Sequence, residues 1–288
     1  MKDFDYILVG TGQATATLLG GLPQDASIAV IEGDKIGGTC VNTGCTPTKT
    51  LVASAKVAHM ARRAAEYGIN VGEVSIDFAK VIARMNEVRG ASNQGLTSWL
   101  ESDSRVSLFH GWAKFAAPKE IQIGNEIIRG ETIFLNVGGR PRKPTTPGLE
   151  SVPWLDNGRL LDLSDLPEHL IVVGGSYIAL EFSQMFRRFG AEVTVIERSD
   201  DILRREDSDV ARAVREIMAA EGIHFELGAR VSQVAPSSSG GVELSLEVGG
   251  GGKTLTGSHL LMATGRVPNS DRLAVDKARL ELDDRGYI

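Results

Sequence analysis

Short apolar runs that end in glycine alternate with amphipathic stretches, and this pattern starts twice along the chain. Residues 6–9 form an apolar run closed by Gly10, which predicts a buried parallel strand. Residues 13–22 predict a helix and residues 27–31 a second strand, together a βαβ unit. A helix is expected from Pro47 to about Tyr67, with the proline in its first turn. A second helical region is expected over residues 75–99, where Phe78, Ile82, Met85 and Val88 recur at helical spacing. Strands are then expected at 106–109, 121–123, 126–128 and 132–137. Residues 138–148 are rich in Pro and Gly and read as a crossing between domains.

After that crossing the pattern begins again. A strand is expected at 170–173, closed by Gly174, then a helix over 177–189 and a strand at 192–196. A further helix is expected over 209–221, with strands at 223–227, 242–248 and 260–263 and a Ser/Gly-rich hairpin tip at 237–241. The expected class is α/β, with two Rossmann-like three-layer domains. Their expected boundaries are 1–148 for a first nucleotide domain, 149–265 for a second, and 266–288 for a segment returning to the first.

Composition narrows what these domains do. The 288 residues are 42% hydrophobic, enough for two medium cores. Net charge is 31 − 37 = −6, which argues against nucleic acid or an acidic membrane as the main partner. No apolar run approaches the ~18 residues of a membrane span, and Met1–Asp5 lacks a signal-peptide layout, so a cytoplasmic protein is expected. Only two cysteines occur, Cys40 and Cys45. In a reducing compartment so close a pair points to redox or metal chemistry rather than a structural staple.

Each restart carries a phosphate cradle. In Gly10-Thr11-Gly12-Gln13-Ala14-Thr15 the first glycine permits a tight turn and the second lets backbone approach a pyrophosphate at a helix N-terminus. Glu32, about 20 residues on, ends the next strand where a carboxylate can bind ribose hydroxyls. Thr15 stands at the third glycine position, and its branched side chain is expected to push the helix from the strand. The second cradle is Gly174-Gly175-Ser176-Tyr177-Ile178-Ala179, with Glu197 at the end of its following strand. That carboxylate favours the free 2′-hydroxyl of NADH, whereas Arg198, Arg204 and Arg205 nearby can hold the 2′-phosphate of NADPH.

The most informative stretch runs from Gly37 to Lys49, with Cys40-Val41-Asn42-Thr43-Gly44-Cys45 at its centre. Its position before a helix allows Cys45 to sit at a helix N-terminus, where the dipole stabilises a thiolate. A resident metal site would need more ligands, and none lies close in sequence.

This stretch resembles the redox-disulfide motif of the class I pyridine nucleotide–disulfide oxidoreductases, and its Thr43-Gly44-Cys45-Thr46-Pro47-Thr48-Lys49 version is most similar to the mercuric-reductase-like branch. Gly138-Gly139-Arg140-Pro141 and residues 263–269 are similar to the family's two domain-crossing motifs, and residues 177–181 to its nicotinamide-side helix. The resemblance implies FAD in the first domain, held by Gly10, Gly12, Gln13, Ala14, Glu32, Gly38, Thr39, Lys49, Gly111, Ala113, Val137, Gly138 and Arg266, with residues 110–113 lining the adenine. It implies NAD(P)H in the second, held by Gly174, Ser176, Tyr177, Ile178, Glu181, Glu197, Arg198, Thr264 and Gly265. By the same resemblance Cys45 is the sulfur next to the flavin, Cys40 the interchange sulfur, Lys49 and Glu181 an ion pair beside the flavin, and Tyr177 a cover that nicotinamide displaces.

The implied reaction passes hydride from NAD(P)H through FAD to a Cys40–Cys45 disulfide, and on to a small disulfide or a soft metal ion such as Hg(II) bound by the two thiolates. Dihydrolipoamide dehydrogenase-type activity, or a catalytically silent nucleotide-binding or redox-sensing module, are the competing readings. The family continues past the point reached at Ile288, with further flavin-domain strands and a dimerisation domain. The expectation is therefore a truncated chain that binds FAD weakly or not at all and is impaired or inactive as a disulfide reductase, from an enzyme that is a homodimer at full length.

Overall fold

A computed structural model describes residues 1–238 and 240–288. It contains two compact units, one of residues 1–47, 86–140 and 266–288, the other of residues 48–85 and 141–265.

The elements of the first unit begin with β1 (Lys2–Val9), α1 (Ala14–Gly21) and β2 (Ile28–Glu32). A one-turn helix α2 (Gly38–Asn42) precedes α3 (Cys45–Arg62), most of which belongs to the second unit, and α4 (Phe78–Ser102), whose first eight residues also belong to the second unit, leads into β3 (Val106–His110). A meander of β4 (Ala113–Ala117), β5 (Glu120–Ile123) and β6 (Glu126–Leu135) follows, then the short β7 (Gly139–Pro141). The sheet order is β3-β2-β1-β6-β5-β4. Its first four strands are mutually parallel, and β5 and β4 are antiparallel additions.

Two strands expected at 126–128 and 132–137 are one strand. Arg129 and Gly130 interrupt its apolar pattern, but they pair with Asp3 and Phe4 of β1, and that ladder carries the strand through. The same pairing extends β1 back to Lys2, beyond its apolar run. Residues 28–31 are buried on both faces, as a central parallel strand requires. Leu8, Ile28 and Val30 pack with Leu19 and Leu100 on the helical face; Ile7, Val9, Ala29 and Ile31 pack with Phe115, Ile121 and Ile123 of the meander on the other.

The second unit contains α5 (Asn157–Leu160), β8 (His169–Val173), α6 (Tyr177–Phe189), β9 (Glu192–Glu197), α7 (Ser208–Ala220) and β10 (His224–Leu227). These are followed by β11 (Arg230–Pro236), β12 (Val242–Val248), β13 (Gly251–Gly257) and β14 (His259–Met262). The parallel sheet has the order β10-β9-β8-β14, and β11-β12-β13 form an antiparallel sheet. The layers are helix, parallel sheet and antiparallel sheet. Leu170 and Val172 face Phe182, Met185 and Phe186 of α6, while Ile171, Leu260 and Met262 face Val234, Leu244 and Leu246. Phe78, Phe186 and Phe189 form a ring cluster with centroids 5.9–6.2 Å apart. The expected hairpin tip at 237–241 includes Ser239, which lies outside the described residues. Finally, β15 (Arg266–Pro268) pairs with β7. The two-domain α/β class expected from the sequence is the fold observed.

Candidate dinucleotide cradles and redox cysteines

The two cradles repeat one backbone geometry. Gly10 and Gly174 have φ of +97° and +117°, a region that L side chains rarely adopt. Each donates its N–H to the next strand, to Ile31 O and Ile196 O, both at 2.8 Å. A Cβ on Gly10 would stand 2.3 Å from Asn136 O, and one on Gly174 2.6 Å from Ala263 O. The absence of a side chain is therefore what lets each turn close on the neighbouring strand end.

The acids match too. Glu32 accepts from the backbone N–H of Thr11 and of Asp34, both at 3.0 Å. Glu197 accepts from Gly175 N at 2.7 Å and Ser199 N at 3.0 Å. Each carboxylate is held at its strand end beside the glycine turn, the place from which an acid reaches ribose hydroxyls. The backbone of each turn leads into a helix N-terminus, α1 at Ala14 and α6 at Tyr177, where N–H groups favour a pyrophosphate. Both sites thus fit a dinucleotide.

Thr15 does not push the helix away. It is 1% exposed, donates to Gly10 O at 3.0 Å and accepts from Asn136 Nδ2 at 3.1 Å. The hydroxyl turns a crowding side chain into a tie between helix and turn. In the second cradle Ala179 occupies the equivalent place, fully buried.

The cysteine loop is fastened to the first cradle. Thr11 Oγ1 donates to Glu32 Oε2 and accepts from Gly37 N at 2.9 Å. Asn42 Nδ2 donates to Ile36 O and Gly38 O, both at 2.9 Å, and Asn93 Nδ2 donates to Ile36 O at 2.6 Å. These contacts fold residues 36–42 into a turn ending in α2, with Gly38 and Thr39 in its first residues. Cys40 therefore lies in a helical turn, not in an open loop. Cys45 is the first residue of α3, two residues earlier than the helix start expected at Pro47, and its thiol is exposed. Both cysteines are free thiols in contact: burial, together with a hydrogen bond and charge interaction with Cys45, pushes Cys40 up to about 11. Among the described residues no group of three or more His, Cys, Asp or Glu side chains could hold a metal ion.

The other residues named from the sequence lie as follows. Gly111 donates to Glu32 O at 2.8 Å, which sets His110 and Gly111 beside the ribose acid, and Ala113 is buried at the start of β4. Trp112 lies against Gly33, and the Arg272 guanidinium stands 4.7 Å from its ring centroid. The two crossing motifs meet: Asn269 N donates to Gly138 O at 3.1 Å, Asn269 Nδ2 to Val137 O at 2.8 Å, and Arg266 to Gly139 O. Burial pulls Arg266 below the ordinary guanidinium pKa.

In the second unit Lys49 pairs with Glu181. Tyr177 and Ile178 are exposed in the first turn of α6, Arg198 is exposed after Glu197, and Thr264 and Gly265 are exposed just after β14. Sequence reasoning missed Thr11, Asn42, Asn93 and Asn136. Thr11, Asn42 and Asn93 serve backbone groups and Asn136 serves the Thr15 hydroxyl, and none follows a periodicity; a threonine inside a glycine turn was the one available signal.

Against known proteins, the profile of the pyridine nucleotide-disulphide oxidoreductase family matches residues 4–288. The chain belongs to that family. It is 30% identical to a mercuric reductase of Bacillus cereus, covering 99% of this chain and 45% of the relative. It is also 30% identical to a dihydrolipoyl dehydrogenase of Cupriavidus necator, covering 100% of this chain and 64% of the relative. A Cu(II) complex of the HOCl-induced flavoprotein disulfide reductase RclA of Escherichia coli superposes with a TM-score of 0.86 at 31% identity, over 99% of this chain and 62% of that one. This family member thus spans about half to two thirds of the length of these relatives. Membership supports FAD as a cofactor of the family fold. Among the described residues no helix is long and apolar enough to cross a membrane.

Proposed function

We propose that this chain is the cofactor-binding part of an FAD-dependent oxidoreductase that takes hydride from NADH and reduces a Cys40–Cys45 disulfide. The observation that carries the reading is the fastening of the cysteine turn to the first cradle through Glu32, Thr11 and Gly37. That chain of contacts ties the cysteine turn to the first dinucleotide cradle. FAD, when bound, supplies the two-electron chemistry between nicotinamide and disulfide.

The residues of this chain bind, orient and exchange. Gly10, Gly12, Gln13 and Ala14 receive the pyrophosphate of FAD, and Glu32 its adenosine ribose. Glu197 beside Gly174 and Ser176 receives the adenosine ribose of NADH, and its carboxylate disfavours a 2′-phosphate. Cys45, at the start of α3, faces the cofactor; Cys40 meets the acceptor. With a disulfide acceptor, a Cys40 thiolate attacks one acceptor sulfur and the other leaves as a thiolate; the Cys45 thiolate then attacks Cys40 in the mixed disulfide, expels the first acceptor sulfur and closes the internal disulfide, and both released thiolates take protons from water. The acceptor gains the two electrons the cysteines lose. With Hg(II), both thiolates would bind the ion without themselves being oxidised, and its two electrons would come from NADH by way of FAD. Lys49 and Glu181 hold opposite charges one helical turn beyond Cys45 along α3 and on α6.

The equal identity to a dihydrolipoyl dehydrogenase supports a second reading, with a dithiol–disulfide substrate of the lipoamide type. A panel of Hg(II), lipoamide and small disulfides on the full-length protein separates the two. The reading includes a homodimer at full length and a cytoplasmic location.

The test is spectroscopic. The purified chain is reconstituted with FAD and reduced anaerobically with NADH, alongside Cys45→Ser. Long-wavelength absorbance that develops in the wild type and is absent from Cys45→Ser is expected. A chain that binds NADH but gives identical spectra with and without Cys45 would overturn the redox reading in favour of a silent nucleotide-binding module.

A further inference from the structure

The surface beside the first ribose acid carries an aromatic ring laid directly on backbone. Gly33 follows Glu32, and a Cβ on Gly33 would stand 2.7 Å from the Trp112 indole, so the ring lies on the glycine itself. Gly111 N donates to Glu32 O at 2.8 Å, which fixes the residue before Trp112 to the acid's own strand end. The ring has a second neighbour from the segment that follows β15: the Arg272 guanidinium stands 4.7 Å from its centroid.

Arg272 is held from both sides. Before it, Asp271 accepts from both terminal nitrogens of Arg140, at 2.9 and 2.6 Å. After it, Leu273 is buried against Phe115, and its carbonyl accepts from Phe115 N at 2.8 Å. Phe115 belongs to β4, which begins one residue after Trp112. Two separate stretches of chain are thus fixed so that an indole and a guanidinium meet. Trp112 is nevertheless 57% exposed, and Arg272 is exposed as well. The ring therefore adds little to the core, and its free surface is an aromatic face next to a carboxylate suited to ribose.

We propose that the Trp112 side chain is a stacking platform for the adenine of the dinucleotide at the first cradle, with Arg272 a positioning residue that steadies the ring. The inference rests on the reading of that cradle as the FAD site. A ribose bonded to Glu32 carries its base on the same sugar, so the base arrives at the surface bordering Glu32, and the aromatic face there is the indole. Stacking suits adenine, because a π-face needs no hydrogen-bond register to be held. The guanidinium limits the freedom of the ring through a cation–π contact and adds a positive charge near a ligand that carries a pyrophosphate.

The test uses the 288-residue chain, with Trp112 as its own probe. FAD affinity is read from flavin fluorescence, and Trp112 emission from the difference between wild type and Trp112→Phe. ADP, which lacks the flavin, is expected to compete with FAD and to quench the Trp112 emission. Trp112→Ala is expected to weaken FAD roughly five- to hundredfold, and Trp112→Phe, which keeps an aromatic face, to weaken it less. Arg272→Ala should weaken FAD about two- to fivefold. NADH affinity should stay that of wild type in each; a variant that loses NADH as well is misfolded, and the quenching in wild type then decides alone. Glu32→Gln is the reference for the cradle. The platform is overturned, and the cradle stands, if Glu32→Gln weakens FAD while Trp112→Ala does not, or if ADP that displaces FAD leaves Trp112 emission unchanged. If wild type does not bind FAD, or Glu32→Gln binds it as well as wild type, the reading of the cradle as an FAD site falls instead.

Discussion

The two cradles reach the same backbone geometry by different means. Around Gly10 the turn is closed by polar side chains: Thr15 bonds back to Gly10 O, Asn136 bonds to Thr15, and Thr11 joins Glu32 to the cysteine turn. Around Gly174 it is closed by small and apolar residues, with Ala179 and Leu180 buried beneath it and Leu203 N reaching Gly175 O from the following loop. One cradle has spent its polar contacts on fastening the turn that carries Cys40. The other has left its mouth to a loop that carries Glu206, which accepts from the Tyr177 hydroxyl. Position three of a glycine pattern is therefore not a fixed requirement for small size. A threonine serves if its hydroxyl finds the turn carbonyl, and an alanine serves if packing does the same.

What the cradles share should fail hardest. Gly10→Ala and Gly174→Ala each force a residue with a Cβ into positive φ and within 2.6 Å or less of a strand-end carbonyl. Each is expected to cost roughly 2–5 kcal/mol in urea unfolding. Gly12→Ala puts its Cβ 3.3 Å from the movable Asn136 side chain and should change stability by about 1 kcal/mol or less. Equal losses at Gly10 and Gly12 would mean that the tight turn is not what the first glycine provides.

The attachment unique to the first cradle predicts unequal thiols. With Cys40 pushed up to about 11 by burial and by Cys45, almost none of it is thiolate near neutral pH. Alkylation at pH 8 should modify Cys40 more slowly than an ordinary exposed thiol by on the order of a hundredfold, and Cys45→Ser should speed it up. Because the folded value lies above the ordinary thiol value of 9.0, the stability tied to the neutral thiol is full below pH 9 and is lost between pH 9 and about 11. Mass-spectrometric labelling rates for the two cysteines, and urea midpoints across that window, check both statements.

The third position separates the two means of closure. Thr15→Val keeps the shape but leaves Gly10 O and the Asn136 amide without their partner, at an expected cost of about 1–3 kcal/mol. Ala179→Thr inserts two heavy atoms into a fully buried place and should cost about as much by overpacking. If Thr15→Val is neutral while Ala179→Thr is not, the polar tie at the first cradle is incidental.

Much of this was legible in the sequence, and the gaps have physical reasons. The helix at 177–189 and the strand at 242–248 appear as expected because their apolar periodicity is undiluted. The strands β11 and β13 escaped because residues such as Gly251, Gly252, Lys253 and Thr254 carry no strand pattern of their own; β13 exists through its register with β12. The cysteine motif pointed to the family that the comparison confirms, yet the one-turn helix holding Cys40 did not show, since three asparagine amide contacts rather than periodicity form it. Thr15 was misread because a list of small residues cannot see that a hydroxyl lies within reach of a carbonyl.

The smallest expected effect concerns the most exposed functional pair. Lys49 lies four residues after Cys45 along α3 and pairs with Glu181, yet its side chain is 66% exposed and that of Glu181 32%. An ion pair in that setting contributes little, because water already solvates both charges and two long side chains lose freedom to meet. Lys49→Met should therefore shift stability by no more than about 0.5 kcal/mol. At the first cradle the Glu32 carboxylate is held instead by the backbone N–H groups of Thr11 and Asp34 and by the Thr11 hydroxyl. If the pair exists for chemistry, Lys49→Met must alter the NADH-dependent spectrum of the FAD-reconstituted chain while leaving its urea midpoint in place. A variant that loses stability and keeps its spectrum would reassign Lys49 to the packing of α3 against α6, and the second unit would then differ from the first in structure alone.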